Sequence, residues 1–129
     1  MKTNRNKFLH NWQEQIAIVV PHLHFDVFLK RIYQNVQPLT VICVWDGKKP
    51  NIPNLLYISG GGSFAKSSNI GIAYAQSLGF SHVCLISDDV EIFLEQIIEL
   101  LHFMDEETDL ISPGILDEDG TDLSGIYVN

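Results

Sequence analysis

The chain is 129 residues long, 46% hydrophobic and 19% charged, the balance of one globular domain that buries a core without disulfides or a structural metal. Its longest apolar stretches, Ile16–Val20 and Thr40–Trp45, are too short to span a bilayer. The basic N-terminus lacks the apolar run of a secretory signal, so cytoplasmic residence is the expectation. The net charge of −8 is polarised: all eight Lys and Arg lie at or before Lys66, with three acids among them, and thirteen acids follow with no Lys or Arg. Such an acidic half repels nucleic acid and anionic membranes. It suits either a divalent cation or plain solvation, and solvation is the default for all but the pair Asp88-Asp89.

In chain order, residues 1–15 read as an N-terminal arm before a single domain over 16–129. Ile16-Ala-Ile-Val-Val20 is continuous and β-branched, as expected of a strand buried on both faces, with Pro21 as its stop. Phe25, Phe28, Leu29, Ile32 and Val36 fall at helical spacing, closed by Pro38. Thr40–Trp45 is a second apolar strand ending in the turn pair Asp46-Gly47. Leu55–Ile58 reads as a third strand. After Gly60-Gly61-Gly62, Ser67 or Ser68 caps a helix running to Leu78, with Gly79 as its stop. His82–Ile86 is the fourth strand, closed by Ser87-Asp88-Asp89. A helix then carries Phe93, Leu94, Ile97, Ile98, Leu101 and Met104 on one stripe. Leu110–Ser112 and Ile126–Val128 suggest further strands, with a turn at Asp117–Gly120. Alternating strands and helices predict βαβ units and a mostly parallel sheet. Cys43 and Cys84 sit inside strands and read as buried, unbridged thiols.

In open α/β sheets, ligands bind beyond the carboxyl ends of the strands. The residues there are Pro21-His22-Leu23-His24, Asp46-Gly47-Lys48, Gly60–Ser68 and Ser87-Asp88-Asp89. Two acids directly after an apolar strand are costly without a partner or a task. Their oxygens suit Mg²⁺ or Mn²⁺, and such a cation would neutralise a diphosphate leaving group. Asp46 is placed to meet a base or ribose. The glycine-rich loop before a helix offers backbone N–H groups. Each feature has an ordinary alternative: Asp88 or Asp89 as a helix cap, Asp46-Gly47 as a simple turn, the glycines as a flexible loop, His22 and His24 as surface loop residues. What joins them is their shared edge of one sheet.

The order of these motifs resembles the GT-A fold of family 2 glycosyltransferases, especially the rhamnosyltransferase-like members. The residues that carry the resemblance are Ile16–Pro21, Val44-Trp45-Asp46-Gly47, the set Phe64-Ala65, Ser67, Asn69-Ile70-Gly71-Ile72 and Ala75, and Ser87-Asp88-Asp89-Val90, with Ser112-Pro113-Gly114 and Asp119-Gly120 beyond. The resemblance implies a three-layer, Rossmann-like GT-A-type sandwich, truncated before the acceptor half. It implies a hexosyltransferase-class enzyme that binds a nucleotide-diphosphate sugar. Pro21, His22, Asp46, Gly61, Ser63, Asn69 and Asp88 would contact the donor, and Asp89 and Asp88 would hold Mg²⁺ or Mn²⁺. Gly61 and Ser63 stand where the family has Asn and Gly, and Ser87 where its first acid is common. The family's catalytic base belongs to the acceptor half, so no residue here takes that role. A homodimer or a partner chain would supply the missing half. The alternative is a non-catalytic nucleotide-sugar-binding module or a structural remnant.

Overall fold

A computed structural model describes residues 12–23 and 25–102. The strands expected at 110–112 and 126–128, the turn at 117–120, Met104, His24 and residues 1–11 lie outside them.

A single helical turn, α1 (Trp12–Gln15), runs directly into strand β1 (Ile16–His22). Helix α2 (Asp26–Asn35), strands β2 (Thr40–Trp45) and β3 (Leu56–Ser59), helix α3 (Phe64–Ser77), strand β4 (His82–Leu85) and helix α4 (Leu94–Leu101) follow. The four strands form one sheet in the order β3-β2-β1-β4, and every pairing is parallel. Ile18 lies between Val41 of β2 and Cys84 of β4.

The central strand is buried on both faces because each face meets a helical layer. Ile16, Ile18 and Val20 pack with Leu29, Ile32 and Val36 of the α2 segment and with Ile97 and Leu101 of α4. Ala17 and Val19 point the other way and pack with Ile42, Val44 and Ala75, beside Ile70 and Tyr74 of α3. Two separate apolar clusters across one sheet make the three layers expected of a Rossmann-like α/β fold. The helix faces follow from connectivity. The chain moves from β1 to β2 in one direction and from β3 back past β1 to β4 in the other, so crossovers of one hand place α2 and α3 on opposite faces.

Several local expectations are corrected. β1 does not stop at Pro21: it continues to His22, with Pro21 in register with Val44. Val19 O accepts from Ile86 on the β4 side and His22 O from Asp46 on the β2 side. By the two-residue alternation of a strand, the position of Pro21 faces β4, whose pairing ends at Leu85. The missing N–H therefore costs no ladder bond. Helix α3 starts earlier than expected, because Ser63 rather than Ser67 or Ser68 caps it and accepts from Lys66 N. Ser68 instead donates to Phe64 O at 2.7 Å. Neither Asp88 nor Asp89 caps a helix: α4 begins after Phe93, whose N–H donates to Gln96 Oε1 at 2.9 Å. Gly79 ends α3 as expected, with φ +95°. Cys43 is buried, Cys84 half-buried, and neither is bridged.

At Gly71 the third helix touches the sheet. A side-chain carbon there would lie 2.7 Å from Val44 Cγ2 and closer still to Val19 Cγ1. Only glycine permits this approach, which brings the N-terminus of α3 over the carboxyl ends of the strands.

Candidate functional site

The strand order reverses between β1 and β4, since β2 and β3 lie on one side of β1 and β4 on the other. That reversal opens a crevice beyond the carboxyl ends of the two strands, the usual ligand position in such sheets. A cavity of about 190 Å³ lies here. The end of β1 lines it with Pro21, His22 and Leu23, the end of β2 with Asp46, the start of α3 with Gly62, Ser63 and Phe64, and the end of β4 with Ser87 and Asp88.

Asp46 organises the glycine-rich loop. Its Oδ1 accepts from Gly62 N at 3.0 Å and its Oδ2 from Ser67 Oγ at 2.6 Å. Ser67 Oγ accepts in turn from Gly61 N at 3.1 Å. A side chain at Gly60 would meet both Asp46 oxygens and Ser67 Oγ within 2.6 Å. The loop is therefore moulded around one carboxylate. It presents the N-terminal end of a 14-residue helix, with Lys66 and no acid in its first turn, to the cavity side.

Asp88 and His22 form the other wall. Both are buried, at 2% and 3% exposure. Asp88 Oδ2 accepts from Leu23 N at 3.0 Å, which ties the end of β1 to the end of β4. The same oxygen lies 2.9 Å from His22 Nδ1. That contact has the length of a hydrogen bond without its alignment, and His22 Nδ1 is a buried polar atom with no hydrogen-bond partner. His22 Nε2 meets Asp26 Oδ1 at 3.1 Å, on the exposed first turn of α2. The field of these carboxylates reaches beneath the cavity. Burial, then the charges of Asp26 and Asp88, push the Cys43 thiol up to about 12.

The structure thus brings together Pro21, His22, Asp46, Ser63 and Asp88. Gly61 serves the loop from outside the cavity lining. Asn69 and Asp89 are exposed and do not line the cavity. His22, a surface loop residue by its sequence context, is an inward member of β1. Leu23, Gly62, Phe64, Ser67 and Ser87 lie in the strand-end segments that the sequence marks, without a role assigned to each, and Asp26 lies outside those segments. The His22–Asp26 pair spans a strand end, a loop and a helix start, so no periodic pattern announces it.

Among the described residues no group of three or more His, Cys, Asp or Glu side chains gathers around one point. Mg²⁺-type sites need fewer, since one or two carboxylates and the ligand's own phosphates suffice. Asp88 at the cavity wall is a carboxylate of the kind such a cation takes.

Compared with protein-family models, curated proteins and solved structures, the chain matches none. No described helix is long and apolar enough to cross a membrane.

Proposed function

We propose that the crevice between β1 and β4 binds a nucleotide-diphosphate sugar with a divalent cation, as the donor half of a glycosyltransferase similar to family 2. The observation that carries this is the convergence of three strand ends and the α3 N-terminus on one cavity at the reversal of strand order. The backbone N–H groups around Ser63, with Lys66 beside them, would face the diphosphate. Asp46 holds that loop through Gly62 and Ser67 and would meet the nucleoside with the remaining lone pairs of its carboxylate. Asp88, with exposed Asp89 beside it, would hold the cation, whose chemistry is to take up charge on the leaving diphosphate. Gly61 and Asn69 act through the shape of the loop and helix.

A second reading is favoured by the size of the cavity. Its volume of about 190 Å³ is below the roughly 300–1,000 Å³ of small-molecule sites. That suits a module that holds part of a nucleotide and transfers nothing.

Calorimetric titration of UDP, dTDP and GDP, with and without Mn²⁺, tests the proposal on wild type and Asp89→Ala. Nucleotide binding that Mn²⁺ strengthens and Asp89→Ala weakens supports a donor site. A folded sample that binds none of the three removes it. Binding without turnover of any sugar nucleotide, even to hydrolysis, favours the module.

A further inference from the structure

Leu23 and Phe64 are large apolar side chains that line the cavity yet stand 67% and 57% exposed at its mouth. They come from different walls: Leu23 directly follows β1, and Phe64 is the first residue of α3. Neither belongs to either apolar cluster of the core. Each is nevertheless fixed through its backbone. Leu23 N donates to Asp88 Oδ2 at 3.0 Å, and Phe64 O accepts from Ser68 Oγ at 2.7 Å. Phe25 is as exposed, but it lies outside the cavity lining and meets Phe28 edge-on, with ring centroids 5.8 Å apart. The Phe64 ring meets no other aromatic ring among the described residues.

A single exposed apolar residue is ordinary on a protein surface. Two that line one cavity, held in place without serving the core, form a surface that gains by being covered. The rest of the lining sets the chemistry of the cover. Asp46 lines the same cavity with two hydrogen bonds made at its carboxylate and lone pairs to spare. A ligand that matches all three residues has apolar faces and N–H groups on its edge. An alkyl chain has no such edge. A nucleobase has both features, and every base carries a face that stacks on an aromatic ring.

We infer that Phe64 and Leu23 form a base subsite: the Phe64 ring stacks on the nucleobase, the Leu23 methyls cover it from the β1 side, and Asp46 takes an N–H of its edge. The inference rests on the proposed function for the presence of a nucleotide and deepens it. It makes the base a source of affinity in its own right, beside the diphosphate and the cation. Stacking and apolar cover involve no phosphate charge, so this part of the binding needs neither metal nor phosphate.

The test separates the base from the rest of the nucleotide. The full chain, with isotope-labelled leucine methyls, is titrated in nuclear magnetic resonance with uridine, thymidine and guanosine without metal, and separately with inorganic pyrophosphate and Mg²⁺. At least one nucleoside should bind and move the Leu23 methyl signals upfield through the ring current of its base, while pyrophosphate leaves them in place. Phe64→Ala should loosen that nucleoside and its diphosphate about tenfold, Phe64→Tyr should restore both, and Phe64→Leu should not. Pyrophosphate affinity should be the same in all three variants, whose substitutions fall at an exposed position outside the core. Pyrophosphate binding with no nucleoside binding, or diphosphates held equally by wild type and Phe64→Ala, overturns the base subsite and leaves the donor site standing. Full rescue by Phe64→Leu, or a loss in Phe64→Ala that falls on a sugar phosphate and spares the nucleosides, also overturns it. A folded chain that binds neither nucleosides nor pyrophosphate removes both readings.

Discussion

Ser67 Oγ donates a 2.6 Å hydrogen bond to Asp46 Oδ2, joining the first turn of α3 to the end of β2. Ser67 is fully buried and also accepts from Gly61 N. One hydroxyl thus satisfies both the loop backbone and the carboxylate. Ser67→Ala leaves two polar groups short of a partner. The expected loss is about 1–3 kcal/mol in urea denaturation, with weaker binding of any ligand at the cavity. Ser68→Ala is the control, because that hydroxyl only returns to Phe64 O. A change below about 1 kcal/mol is expected there. Equal effects at the two serines would remove the special role of the Asp46 link.

Gly71→Ala tests the approach of α3 to the sheet. Alanine gains about 1 kcal/mol in helix propensity, but its methyl has no room against Val19 and Val44. Overpacking wins, with a net destabilisation of about 1–3 kcal/mol in thermal denaturation. Adding Val44→Ala should recover part of it, as contacting sites couple. A more stable Gly71→Ala would mean that the helix stands further off.

Both thiols are held in the protonated form. Burial and the charges of Asp26 and Asp88 push Cys43 up to about 12, and burial pushes Cys84 up to about 11. The thiolate is the reactive form, so a disulfide reagent at pH 8 should titrate neither thiol in the native protein and both in denaturant. Since the folded values lie above the ordinary value of 9.0, the associated stability is complete below pH 9 and falls as pH rises toward 12. Cys43→Ala should flatten that alkaline decline.

His82 behaves in the opposite sense. Burial lowers it from the ordinary 6.5, so folding favours the neutral ring. The stability this contributes is present above pH 6.5 and declines as pH falls below it. His82→Gln should remove that part of the acid decline in urea midpoints measured across pH. A profile identical to wild type would show that other groups govern acid stability.

Much of the fold was legible in residue pattern alone. Thr40–Trp45 is a strand with the expected bounds, because a β-branched run between turn residues has no competing periodicity. Of the stripe Phe25, Phe28, Leu29, Ile32 and Val36, the last three are buried as helical spacing requires, while Phe28 is half-buried and Phe25, ahead of the helix, is exposed. Helix starts were read less well. Three serines follow the glycines within six residues, and propensity does not rank them. Ser63 is the cap because the loop around Asp46 sets where the helix begins.

By itself the sequence determined the alternation of strands and helices, the doubly buried central strand, and the sheet edge where polar residues collect. Local periodicity and turn chemistry suffice for those. Tertiary structure alone decided which of those polar residues meet. Asp46 turned inward to hold its own loop, Asn69 and Asp89 turned to solvent, and His22 turned from an apparent loop residue into a buried partner of Asp88 and Asp26. The reason is that pairing β1 with β4 joins residues 66 positions apart, a distance over which no spacing rule operates.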